Sequence, residues 1–295
     1  MKEIIKNLIQ GFSMALADSV PGVSGGTVAF VLGFYDKFIN SLNTLISRKK
    51  DKKSSISFLI KLGIGWVIGM AIASLILSNL FETHIYQVSS LFIGFIIFAI
   101  PLIVKEEKQN IEGKYKNLIF TIIGIIIVSA ITYFNPQTGS ETSIDITNLN
   151  FGLAIYVFVA GMIAISAMIL PGISGSTLLL IFGLYVPIIT GIKETLHLNL
   201  AYIPVLFVFG LGILTGIALV IKLVKKALEK YRAQTIYLIL GLMVGSIYAI
   251  IMGATTLEAP KAPLSFSTFN IIYFIVGGLV IVGMEFAKRK LENNK

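Results

Sequence analysis

Long apolar runs alternate with short polar clusters along the chain. Six runs, at 59–80, 88–104, 117–134, 200–221, 235–253 and 270–287, approach or exceed the roughly 17–25 residues that cross the hydrocarbon core as a helix. Two other stretches are apolar but broken. Residues 4–20 and 151–170 read as first arms, each followed by a helix-breaking motif. Second arms follow, from Thr27 to Ile46 and from Thr177 through Ile189. The pattern predicts an all-α polytopic membrane protein with two broken hairpins and six spanning helices.

The two breaks are copies of one motif. Pro21-Gly22-Val23-Ser24-Gly25-Gly26-Thr27 returns as Pro171-Gly172-Ile173-Ser174-Gly175-Ser176-Thr177, 150 positions later. Proline removes a backbone donor, the glycines allow unusual dihedrals, and the hydroxyls replace lost hydrogen bonds. Further positions match: Gly33 and Tyr35 with Gly183 and Tyr185, Gly65 and Gly69 with Gly212 and Gly216, Gly94 with Gly241, and Gly124 with Gly277. The chain is therefore a duplication, with one repeat in 1–150 and the other in 151–295.

Charge orients these elements. Lysines and arginines cluster at 48–53, 105–116, 222–232 and 288–290, whereas 81–87 and 135–150 contain none. Basic loops stay in the cytoplasm, so both termini are expected there and loop 135–150 outside. Each half then holds one hairpin and three spanning helices. Three is odd, which makes this an inverted-topology repeat, with hairpins from opposite faces that are either re-entrant or fully spanning. The N-terminal segment resembles a cleavable signal in Lys2 and Ala15-Leu16-Ala17. However, Glu3, Lys6, Asn7 and Gln10 interrupt it, and Gly11, Ala17 and Pro21 reappear as Gly161, Ala167 and Pro171. It is expected to remain as the first arm.

Composition agrees with a membrane protein. Of 295 residues, 56% are hydrophobic and only 13% charged, against roughly 25% charged in soluble domains. The net charge of +9 lies in the short loops, which points to topology and not to nucleic acid. There is no cysteine, so disulfides and thiolate metal sites are excluded. His84 and His197 have no partner at ligand spacing, and neither a metal, a cofactor nor a catalytic residue is expected.

Discontinuous helices from two halves of a transporter meet at its substrate site. At each break the helix N-terminus offers free N–H groups, with hydroxyls beside them, and this suits an anion. The candidate binding residues are Ser24, Gly25, Gly26, Thr27, Ser174, Gly175, Ser176 and Thr177, with Pro21, Gly22, Pro171 and Gly172 making the breaks. The alternative is a tight kink that serves packing alone. Asp18 is an acidic residue inside the first hairpin, and its counterpart is Met168. It is either a coupling group for a proton or sodium ion or a cap on the break. Paired glycines such as Gly65/Gly69, Gly212/Gly216 and Gly241/Gly245 point to close helix packing.

Residues 18–27 followed by Gly33-Phe34-Tyr35, together with the second copy and Gly183-Leu184-Tyr185, resemble the signature of the bacterial polyprenyl-phosphate transporter family, formerly a domain of unknown function. The resemblance implies flipping of undecaprenyl phosphate from the outer to the inner leaflet of the cytoplasmic membrane, which recycles the lipid carrier of envelope synthesis. Its partners would be the polyprenyl phosphate, the bilayer and a coupling proton or sodium ion, with oligomeric state open. Gly26 becomes Ser176 in the second copy, so the halves need not contribute equally. A transporter or channel for a small anion or soluble metabolite is the alternative, and a lipid-modifying enzyme a more distant one.

Overall fold

The computed structural model describes residues 2–18, 24–47, 52–134, 146–147, 149–196, 198–256 and 260–293. Among these, all regular structure is helical. The first hairpin comprises α1 (Lys2–Asp18), α2 (Gly25–Val31) and α3 (Tyr35–Ile46). Next come α4 (Lys53–Glu106), a short α5 (Lys108–Ile111) and α6 (Leu118–Tyr133). The second hairpin is α7 (Phe151–Ile169), α8 (Gly175–Ile181) and α9 (Tyr185–Leu196). Then α10 (Ile203–Lys230), α11 (Arg232–Met252) and α12 (Ile271–Asn293) complete the chain.

Six helical segments among the described residues are long and apolar enough to cross a membrane: Lys53–Ala73, His84–Glu106, Tyr115–Tyr133, Phe151–Ile169, Leu200–Lys230 and Arg232–Thr255. Many of their large aliphatic side chains point outward, among them Val67, Ile126, Leu214 and Leu223. In water such a surface would drive association; in a bilayer it faces lipid. The chain is a multi-pass membrane protein.

Three boundaries differ from the sequence reading. The helices after the breaks begin at Gly25 and Gly175, two residues before Thr27 and Thr177. Ser24 supplies the N-cap by accepting from Gly26 N–H at 3.1 Å, and a serine at that position sets the start. The second arms are not continuous either. Gly33 and Gly183 adopt positive φ, +68° and +63°, which ends α2 and α8 after two turns and starts α3 and α9 in a new direction. The last of these runs to Leu196, beyond Ile189. Finally, the expected turn at 81–87 is helical apart from one residue. His84 (φ −127°, ψ 30°) is the non-helical point inside the 54-residue α4.

That point divides two spans whose far ends lie together. Lys37 Nζ sits 4.5 Å above the Phe58 ring, near the start of α4. Its neighbour Asp36 accepts from Arg232 Nη1 at 3.0 Å, and the same guanidinium grips both oxygens of Glu107, just past the end of α4. The polypeptide between Phe58 and Glu107 thus returns to the end it left. The first hairpin does likewise, because Lys37 also pairs with Glu3 at 3.5 Å. A charged cluster of Glu3, Asp36, Lys37, Glu107 and Arg232 therefore gathers at one end of the molecule.

Glycines let the helices meet backbone to backbone, in seams that recur between the halves. Gly65 and Gly69 of α4 lie on Leu8 and Phe12 of α1, just as Gly212 and Gly216 of α10 lie on Phe158 and Met162 of α7. The later helices exchange between repeats. Gly94 of α4 lies on Phe274 of α12 and Gly277 of α12 on Leu91, while Gly241 of α11 lies on Thr121 of α6 and Gly124 of α6 on Leu238. α12 thus packs on the His84–Glu106 span of α4 and α6 on α11, although α12 is apolar only over Ile271–Gly283 and is not among the six candidate spans. The paired glycines expected at helix contacts are found there.

A side chain at such a seam has nowhere to go, whereas Gly63 and Gly210 have open space around them. Gly241→Leu and Gly65→Leu should each lower stability by about 1–3 kcal/mol or more, the usual effect of overpacking. Gly63→Leu should be close to neutral. Thermal denaturation of the three purified variants checks this, and equal loss in all three would contradict the seam assignment.

Candidate functional site

The second break follows from local chemistry. Pro171 has no N–H for Ala167 O, which takes Leu170 N–H at 3.0 Å instead. As the helix stops there, the carbonyls of Met168, Ile169 and Leu170 lack intrahelical donors. The next donor, Gly172 N–H, turns away because Gly172 takes φ +91°. It donates instead to Thr27 Oγ1 at 2.7 Å. A Cβ on Gly172 would lie 2.5 Å from the Leu242 backbone, so glycine is required there for both conformation and space.

The stranded carbonyls find donors on the first hairpin. Ser24 Oγ lies 3.2 Å from Leu170 O and 3.3 Å from Met168 O. Tyr35, 2% exposed, donates its hydroxyl to Ile169 O at 3.2 Å. Gly26 passes so close to Ile169 O that a Cβ would stand 2.7 Å away. The two breaks, 150 residues apart in sequence, are thus one structure. Tyr35 was visible in the sequence as a repeat position and as part of the Gly33-Phe34-Tyr35 signature; its contact with Ile169 O emerges only from the structure.

The first break has its own polar anchor. Asp18 Oδ1 accepts from Gly25 N–H at 2.6 Å and Oδ2 from the Trp66 indole N–H of α4 at 2.9 Å. Asp18, the last residue of α1, thus satisfies the first N–H of α2 across the break, beside the Ser24 N-cap. At the second break Met168 occupies the matching place, with its Cβ 3.3 Å from where a Gly175 Cβ would be. Ser174 and Ser176 hydroxyls contact each other at 2.7 Å, and Thr177 is half-buried in the first turn of α8. The donors of the two breaks are accordingly unequal. Pro21 and Gly22 lie outside the described residues.

Sequence reasoning missed Trp66, and also the cluster of Asp36, Glu107 and Arg232. Trp66 carried one signal, since it is the single tryptophan in the chain and stands within an apolar run. The charged cluster gave none, because its three members are spread over 197 residues of sequence.

Two interlocked helix breaks inside a multi-pass helical membrane protein are an arrangement that many transporters with discontinuous helices use. The chain belongs to the undecaprenyl phosphate translocase-like family, whose model matches residues 14–267. It is 35% identical over 274 residues to a Staphylococcus aureus protein named polyprenyl-phosphate transporter, with 93% of each chain covered. It is also 32% identical over 254 residues to a Vibrio cholerae protein of the same name, covering 82% of this chain and 76% of that one. No solved structure matches.

Thr27 provides a direct test of the junction. Thr27→Val leaves Gly172 N–H without its acceptor, and an orphaned buried donor costs about 1–3 kcal/mol. Thr27→Ser keeps the oxygen and should retain most of the stability. Thermal melts of the two variants check this; similar melts would show that the hydroxyl does not hold the junction.

Proposed function

We propose that the chain transports a polyprenyl phosphate, undecaprenyl phosphate, flipping it from the outer to the inner leaflet of the bacterial cytoplasmic membrane so that the carrier re-enters envelope synthesis. It does so without altering the lipid covalently. The observation that carries this reading is the meeting of the two breaks in a chain whose relatives bear the name polyprenyl-phosphate transporter. Such a lipid has an anionic head that hydrocarbon excludes and a tail that can remain in the bilayer. The protein needs only a polar path for the head.

In this reading the head engages Ser24, Gly25, Gly26 and Thr27 from one side and Ser174, Gly175, Ser176 and Thr177 from the other. The hydroxyls and backbone N–H groups are donors suited to phosphate oxygens. The second break is the more open half. Among the described residues no carboxylate is hydrogen-bonded to its Ser174–Ser176 pair, whereas Asp18 stands on Gly25 at the first. Asp18 is the group through which transport couples to an ion.

The hairpins are re-entrant and the repeats inverted, with both termini cytoplasmic. The Glu3–Lys37 pair supports a first hairpin that returns to its own face. The basic residues at 222–232 support placing the Arg232 cluster in the cytoplasm. Cysteine labelling in this cysteine-free chain tests the topology: an impermeant external reagent should modify Thr142→Cys and not Lys50→Cys. The opposite result would overturn the orientation.

Leaflet-resolved transport in liposomes tests the function, with product analysis to show that the lipid is unchanged. Ser174→Ala and Ser176→Ala should each weaken phosphate-dependent thermal stabilisation by about tenfold, as expected for loss of one hydrogen bond to a charged group. They should slow flipping without abolishing it. Unchanged lipid affinity in the double variant would sink the binding assignment. Movement of a soluble phosphate without the lipid would favour the small-anion alternative.

A further inference from the structure

The polar anchor of the first break exists in a single copy. Asp18 and Trp66 correspond to Met168 and Ile213 in the second repeat, at the offsets that relate Pro21 to Pro171 and Gly65 to Gly212. Both positions of the pair are thus apolar in the other half, although the surrounding glycine seam is kept. The pair spans three elements: the carboxylate is on α1, one donor begins α2, and the other donor is on α4. It is the polar tie between the end of the first arm and the helix that arm rides on.

Both carboxylate oxygens face N–H groups. Donors of this kind favour an anion and repel a bound metal cation, which would need several oxygen ligands. A proton needs only one lone pair. Among the described residues no other charged side chain contacts Asp18, and the adjoining residues Ser19 to Val23 contain none by sequence.

We propose that Trp66 is a positioning residue for Asp18, and that uptake of one proton by this carboxylate releases the tie between the first break and α4. This rests on the transport reading only for its link to flipping. The step is a simple protonation, from carboxylate plus proton to carboxylic acid. With the proton on Oδ2, that oxygen stops being a good acceptor and Trp66 loses its partner, while Gly25 keeps Oδ1. The hairpin then has one fewer polar contact holding α1 and α2 against α4.

Trp66 also reports on its own partner, because it is the single tryptophan in the chain. Intrinsic emission of the full-length protein in nanodiscs should show one transition as pH is varied, and Asp18→Asn should abolish it. A sodium titration at fixed pH should leave the emission unchanged. Trp66→Phe keeps the ring and removes the donor. Because that donor favours the charged form, its loss should move the pH profile of transport upward by about one unit. A packing role alone would change stability and leave the profile in place. Emission that is flat across the range where transport titrates, or a transition that persists in Asp18→Asn, would overturn the proposal. An intact transition in a protein that fails to move polyprenyl phosphate would count against the lipid-transport reading and leave the tie supported.

Discussion

Three carbonyls at the end of α7 govern the centre of this molecule. Pro171 deprives them of the donors a continued helix would bring, and in a bilayer an unpaired peptide group costs several kcal/mol. Tyr35 donates to Ile169 O, the single O–H of Ser24 lies within reach of both Met168 O and Leu170 O, and Thr27 in turn receives the Gly172 N–H. Neither break is complete alone. If the first hairpin withdrew, peptide groups of the second would be left needing water or a ligand, so any motion that parts the breaks must bring a replacement donor to that point. A phosphate oxygen is an acceptor and cannot serve the carbonyls, although it can take over N–H and hydroxyl donors released from them.

The rest of the fold keeps that junction in register. Each first arm rides on a glycine-faced helix, and the later helices pack α6 onto α11 and α12 onto α4. The helices around the two breaks therefore form one interlocked body. The two copies of the break motif differ in polarity at specific points. Asp18 and Trp66 stand where the second repeat has Met168 and Ile213, and Arg232 binds Asp36 and Glu107 at one end. Glu107 is the more enclosed of its two partners, with 13% of its side chain exposed against 46% for Asp36. The contact to Glu107 is accordingly the stronger one, since exposed pairs contribute little.

Much of this was legible in the chain because the bilayer imposes simple rules. Apolar length gave five of the six candidate spans among the described residues. The sixth is the first arm α7, Phe151–Ile169, whereas the expected span 270–287 is there a shorter apolar helix, Ile271–Gly283. The repeated Pro-Gly motif located both breaks. Matching glycines marked the seams, since only a close backbone approach explains Gly65, Gly94 and Gly241 recurring in their counterparts. The division of the second arms at Gly33 and Gly183 was missed, although a glycine ahead of a tyrosine in both copies was a usable sign of positive φ. The turn near His84 was drawn too wide, because polar residues at 82–87 fit a helix end as well as a loop. Contacts between the halves left no trace at all. Ser24 and Leu170, or Trp66 and Asp18, are joined by packing, and no periodicity in one segment encodes its partner.

The glycine seams have a mechanical side. Where side chains interdigitate, one helix can shift along another only by lifting its knobs over the next row of holes. Along α1 on α4, and α7 on α10, the glycine side of the contact carries no side chain, and Gly65 and Gly212 meet backbone atoms of Leu8 and Phe158. Such a surface is smooth on the scale of a residue, and shear along it disturbs few rotamers. The feature that makes these joints intolerant of a single added methyl group also makes them low-friction bearings, able to let a hairpin glide while the frame around it stays still.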